Sequence, residues 1–213
     1  KPSSAASDVY KRQTQYDNMT DALIKYLFSI GTLSADEVNF SVQFFKPHDL
    51  KKGDFFIRAD EPCRHIGFIS SGAVKAYAVD KEGRENITCF KFENEFVTSF
   101  PEFVAQEKSR RSIRAVEDSI IHRINYADYQ YLLGRVTSWN KVIQAVMERE
   151  YIQKEQYLLN YNNKSALDKY HHVLSNEPKL VQRIATQDLA SYLGITQRSL
   201  TRAKGQIHRA KVL

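Results

Sequence analysis

Hydrophobic positions run through three successive periods along this chain. Leu23, Ile24, Leu27 and Phe28 recur at three- and four-residue steps, which predicts helix within residues 17–45. Ser34-Ala35-Asp36-Glu37 has the spacing of a capping box and predicts a second helix there. From Pro47 to about Ile124 the pattern turns to short apolar runs punctuated by turn residues. Gly53-Asp54 precedes Phe55–Ile57, and His65–Ile69 runs into Ser71-Gly72. Val74–Val79 faces Ile87–Phe92 across Asp80–Gly83, a hairpin with Gly where positive φ is needed. Ile113–Val116 and Ile120–Ile124 complete the series, with no helical stretch expected among them. Strands at near-regular spacing predict an antiparallel jelly roll or barrel.

The third period begins at residue 135, after which neither Gly nor Pro occurs until Pro178. Trp139, Val142, Ile143, Val146 and Met147 form an apolar stripe at helical spacing, and a helix over 138–162 would be about 36 Å long. Such a helix either lies lengthwise on the roll or forms a seam between two copies. Its length favours the seam. Asn160–Asn163 then breaks the pattern as a hinge, and Ser165-Ala166-Leu167-Asp168 offers a fresh helix cap.

Charge sharpens this division. The chain has 213 residues and a formal charge of +6, with 24 Phe and Tyr against eight Gly and five Pro, a packed rather than disordered composition. Residues 1–162 balance their acids and bases, so 163–213 carry the whole excess. Beyond Asp188 come Arg198, Arg202, Lys204, Arg209 and Lys211 with no acid among them. All twelve Phe lie at or before Phe103. A neutral, Phe-rich body with a basic C-terminal quarter suggests a nucleic-acid-binding module joined to something else. No apolar run of membrane-spanning length and no signal core occur, so a soluble, cytoplasmic protein without a membrane partner is expected. Lys1 to about Tyr16 reads as a mobile tail.

Thr186 to Gly205 holds the most informative window. Thr186 is placed to cap a short helix whose Leu189, Ala190 and Leu193 point inward. Gly194 ends it, Ile195 plugs the turn, and Thr196 caps a second helix with Leu200, Ala203 and Ile207 inside. A small residue where the helices approach, Gly at the corner and an aliphatic wedge stand at helix-turn-helix spacing. The outer face of the second helix then carries Gln197, Arg198, Thr201 and Arg202. Arg can grip guanine and Gln adenine bidentately, so this face is equipped to read a major groove. Thr196 and Ser199, with free backbone N–H groups, suit a phosphate, and Lys204, His208 and Arg209 lie further along.

The order of helices, roll, long helix, hinge and helix-turn-helix, with LKKGDFFIRADEPCRHIGFISSGAVKAY and LVQRIATQDLASYLGITQRSLTR within it, resembles the Crp/Fnr superfamily of bacterial transcription regulators from about residue 20 to 210. The resemblance implies an α+β fold with an N-terminal antiparallel β-roll of the cyclic-nucleotide-binding type, flanking helices, a long dimerisation helix and an all-α C-terminal domain. Its domains would be a tail (1–16), an effector-sensing roll (17–137), the dimer helix (138–162) and a DNA-binding domain (163–213). It further implies a homodimer on a two-fold symmetric double-stranded operator, RNA polymerase as partner, and an effector pocket in each roll.

In the family's cyclic-nucleotide signature a Gly-Glu pair meets the ribose and an Arg-Ser pair the cyclic phosphate. Here Glu95 is kept, Asn94 replaces the Gly, and Ser109-Arg110 stand where Arg-Ser would. Glu95, Arg110 and Arg111 are therefore the candidate effector residues. A one-residue shift turns a strand side chain to the opposite face, so the phosphate lacks its expected guanidinium. These departures point to a small effector other than cyclic AMP, with a cyclic-nucleotide-binding regulator of the same architecture as the alternative. Cys63 and Cys89 cannot supply an iron–sulfur cluster's four ligands. The same roll can house a cupin-type metalloenzyme, but His48, His65 and His122 form no HxH pair. No catalytic residue, metal site or resident cofactor is expected. A ligand-binding module without DNA binding is the remaining alternative.

Overall fold

The computed structural model describes residues 21–212, so the tail expected over 1–16 lies outside the described residues. Residues 21–30 form α1, and α2 spans Ala35–Val42. The predicted box caps α2, with Ser34 Oγ accepting from Glu37 N and Glu37 Oε2 from Ser34 N at 2.8 Å. Eight strands follow: β1 (Lys46–Leu50), β2 (Phe55–Ile57), β3 (His65–Ser71), β4 (Val74–Val79), β5 (Glu85–Lys91), β6 (Phe96–Val97), β7 (Ser112–Ala115) and β8 (Ser119–Asn125). They build two four-stranded sheets in the orders β1-β8-β3-β6 and β2-β7-β4-β5. The pairings β1–β8, β2–β7, β3–β6 and β3–β8 are all antiparallel, as the alternating pattern predicts.

The expectation of an uninterrupted strand series fails at one point. Helix α3 (Phe100–Ala105) stands between β6 and β7. Pro101 in its first turn fixes a helical φ where no N–H is needed, and Gln106 ends it in the left-handed region. Six residues are too few for a period to show. Helix α4 (Tyr126–Arg135) is capped by Asn125, whose side chain accepts from Asp128 N. The predicted long helix is α5 (Trp139–Tyr161), followed by α6 (Ala166–Asn176), α7 (Pro178–Arg183), α8 (Thr186–Tyr192) and α9 (Gln197–Val212).

Contacts group the chain into two units. One comprises the described residues up to Lys75 with Lys91–Val146; the other joins Ala76–Phe90 to the segment from Met147 onward. In the first, Leu23, Leu27, Phe68, Ile69, Ile113, Ile121, Ile124 and Leu132 are fully buried. Trp139 belongs to this core. It is 4% exposed, stacks on Phe45 at 6.0 Å, and donates from Nε1 to Ser41 Oγ at 2.7 Å. The apolar stripe read as a seam is thus spent at its N-terminal end, and Ile143, Val146 and Met147 are only half-exposed. The exposed apolar side chains of α5 are Tyr151, Ile152, Leu158 and Leu159, further along.

His122 is also in this core, 2% exposed, with Nδ1 and Ser70 Oγ 2.6 Å apart and Nε2 without a partner among the described residues. Burial pushes its pKa below 6.5. Below pH 6.5 the unfolded chain takes up this proton before the folded one does, so stability falls with pH down to the folded pKa. The expected slope is about 1.4 kcal/mol per pH unit for each such histidine. Guanidinium unfolding between pH 7 and 5.5 checks this, and His122→Gln should remove one histidine's share of the slope. An unchanged slope would place the linkage elsewhere.

Candidate functional site

The two-helix turn is built locally. Leu193 N donates to Leu189 O, Gly194 takes φ +61°, and Ile195 N donates to Ala190 O at 3.0 Å, closing α8 with a glycine in the left-handed region. Lys169 on α6 donates from Nζ to Leu193 O at 2.8 Å, meeting an otherwise open carbonyl at the helix end. Thr196 then caps α9 as predicted, its Oγ1 accepting from Ser199 N at 3.1 Å and lying 2.9 Å from Ser199 Oγ. Leu200 and Ala203 are buried, and Leu189, Ala190 and Leu193 are buried with them.

Geometry puts Gln197, Arg198, Thr201 and Arg202 together on the exposed face of α9. Thr201 donates to Gln197 O at 3.0 Å, which fixes its rotamer and leaves the methyl group and lone pairs outward. Two residues depart from expectation. Thr186 is the first residue of α8 rather than its cap; Ala185 holds that place, with no side-chain bond. Lys204 is half-buried, donates to Thr186 Oγ1 at 3.1 Å, and lies 5.8 Å from the centre of the Tyr170 ring. Its ammonium braces α9 inside the domain. The reason is visible in the numbering: Lys204 is four residues after Leu200 and shares its inward face.

An aromatic cluster that composition alone could not locate holds α8. Tyr157 and Tyr161 on α5 and Phe90 on β5 lie 5.0, 5.9 and 5.4 Å from the Tyr192 ring. Tyr157 Oη donates to Tyr192 O at 2.6 Å, and Tyr161 Oη donates to Glu177. Burial and then the Glu177 hydrogen bond and charge push the Tyr161 phenol well above its usual range. Ser191 is bonded to the β4–β5 hairpin, donating to Glu85 O at 2.7 Å and accepting from Ile87 N at 3.3 Å. The Tyr157–Tyr161 pair is legible as an i,i+4 couple; the third ring, 31 residues further on, is not.

The expected effector residues are each engaged by neighbouring groups. Asn94 takes φ +67°, a conformation Asn tolerates, which explains how it stands where the signature has Gly. Glu95 accepts from Phe92 N at 2.8 Å and pairs with Lys91 at 3.3 Å, so it fastens the turn before β6. Arg111 donates to Ser99 Oγ at 3.1 Å and Thr98 O at 3.3 Å, anchoring the start of α3. Arg110 is exposed, 3.8 Å from Glu102. Cys63 and Cys89 are free thiols. Among the described residues, no three His, Cys, Asp or Glu gather as a metal site, and no helix is long and apolar enough to cross a membrane.

Comparison with known proteins adds to this geometry. A family model described as cyclic nucleotide-binding domain matches residues 47–135. The fumarate and nitrate reduction regulatory protein of Vibrio cholerae is 22% identical over 197 residues, covering 87% of this chain and 77% of that protein. Among solved structures, FixK2 from Bradyrhizobium japonicum superposes with a TM-score of 0.68 at 19% identity, over 79% of this chain and 87% of its own. The c-di-GMP-responsive global regulator CLP of Xanthomonas campestris also gives 0.68, at 16% identity, over 84% and 93%. These structural likenesses establish the fold.

Proposed function

Because this chain belongs to the Crp/Fnr superfamily of bacterial transcription regulators, we propose that it binds DNA as a homodimer whose α9 helices read a two-fold symmetric operator. The observation that carries this reading is the outward face of α9. Gln197, Arg198, Thr201 and Arg202 are exposed together on a helix capped by Thr196 and wedged by Leu200. Gln and Arg there can make bidentate contacts to adenine and guanine, and the capped helix end can face a phosphate. RNA polymerase is the second partner in this reading, and the cytoplasm its place. No catalytic residue and no resident cofactor are assigned; the roll takes a small effector other than cyclic AMP, since Arg111 is engaged by Ser99 and Thr98.

The seam in this proposal lies on the distal part of α5, since Trp139 is buried in the roll unit. Ile152 and Leu159 are seven residues apart, as are Tyr151 and Leu158, and all four are exposed. A seven-residue repeat of exposed apolar side chains is what a paired helix presents to a copy of itself.

Selection of genomic fragments by the purified protein tests the whole reading. The expected result is one enriched motif with two symmetric halves, their centres about one helical turn apart or a multiple of that. Enrichment of unrelated sequences would overturn it. Ile152→Glu with Leu159→Glu is expected to give a folded monomer in sedimentation, binding the two-half site about 100-fold more weakly. A dimer that persists would place the seam elsewhere.

A further inference from the structure

In an antiparallel sheet, directly opposed side chains share a face, and so do positions two apart on one strand. Lys46 on β1 stands opposite Arg123 on β8, which stands opposite Gly67 on β3. His48 stands opposite Ile121, and His65 opposite Asn125. Lys46, His48, Arg123 and His65 therefore belong to one face. That face looks into the roll, because a Cβ on Gly67 would collide with Ile121 and with the Phe56 ring from the other sheet.

At this end of the roll a cleft of about 380 Å³ has a lining that includes Phe55, Phe56, Arg58, Glu61, Arg64 and His65. Arg58 is held over the Phe55 ring at 3.8 Å. Arg58, Arg64 and Arg123 make no ion pair among the described residues. Glu61 is the only acid of the lining. Burial first and the Arg123 guanidinium second hold the His48 and His65 imidazoles below their usual range, with Asp49 and Asp54 opposing the shift at His48. Arg58 and Arg64 are exposed at the cleft and Arg123 is half-buried beside His65, so three cations lie near a partly apolar wall, and a few convergent polar groups on such a wall mark a ligand site.

We propose that this end of the roll binds a small organic anion, its oxyanion held by Arg64, Arg123 and Arg58 and its flat apolar body against Phe56. Arg suits the task because its planar fork matches carboxylate and phosphate oxygens alike. The site is separate from the 94–111 segment, where Glu95 and Arg111 are engaged by their own neighbours.

Calorimetric titration of the full chain with phenyl phosphate, benzoate and inorganic phosphate tests this. Saturable one-to-one binding of phenyl phosphate or benzoate is expected, tighter than that of inorganic phosphate. The tighter of the two aromatic anions tells whether the oxyanion is a phosphate or a carboxylate. Arg123→Gln should weaken it at least about 10-fold. Arg64→Ala, on an exposed loop residue whose loss leaves folding intact, should do the same. No saturation by about 10 mM, or affinities unchanged in both variants, would overturn the proposal. So would loss of binding in Glu95→Gln alone, since the anion would then sit in the 94–111 segment. Binding is read directly on the roll, so it succeeds or fails independently of the operator experiment.

Discussion

Trp139→Ala will lower the unfolding free energy of the roll unit by about 3–5 kcal/mol and leave its self-association unchanged at concentrations where it folds. The indole is 4% exposed and lies nearly parallel to Phe45, with 21° between the rings. Its loss opens a cavity under α2 and removes a hydrogen-bond donor from Ser41 Oγ, which is fully buried and itself donates to Glu37 O. Trp139→Phe should recover most of the packing and forfeit only the hydrogen bond, about 1–3 kcal/mol with a buried oxygen left one donor short. Chemical denaturation followed by circular dichroism is the measurement, because this is the only tryptophan and its fluorescence leaves with it. Were Trp139 part of the seam, the variant would instead dissociate more readily while its denaturation midpoint as a monomer stayed put.

This residue shows what a hydrophobic period can and cannot say. The stripe from Trp139 to Met147 fixes that a helix is there and which side is apolar. It does not fix what covers that side, and Phe45 and Ser41 lie nearly a hundred residues upstream. Six strands of the roll were legible because apolar runs and turn residues alternate there; β1, with Lys46, Pro47, His48 and Asp49, and the two-residue β6 carry no such run. Helices α3 and α7, at six residues each, were not, since neither completes two turns and Pro101 and Pro178 read as breakers although each sits in a first turn. At the candidate site the Thr196 cap, the Gly194 corner and the inward Leu200 all followed from spacing. Lys204 did not, because charge was weighed ahead of its place four residues after Leu200. The cationic end of the roll was illegible for a different reason. His48, His65 and Arg123 become neighbours only through β1–β8–β3 register, which no local pattern specifies.

Replacing Arg198 and Arg202 together by Ala will cost about 2–6 kcal/mol of binding to the selected operator, about 1–3 for each bidentate contact removed. In affinity this is about 30-fold at the low end and about 10⁴-fold at the high end. The two guanidiniums are four residues apart on the exposed face of α9, close enough that their effects need not add, so the single variants and the double form one cycle. The discriminating quantity is the ratio between operator and random duplex. A base-reading Arg loses more on the operator and relaxes one position of the motif. A phosphate-touching Arg weakens both duplexes equally and lowers the salt slope by about one. Lys204→Ala supplies the contrast. Its ammonium is bonded to Thr186 Oγ1, so the change should lower the stability of the C-terminal domain and leave base preference as it was. If Lys204→Ala instead reduced the salt slope like the arginine variants, the lysine would have to leave Thr186 on binding, and α9 would meet DNA in a different arrangement from the one seen in the free chain.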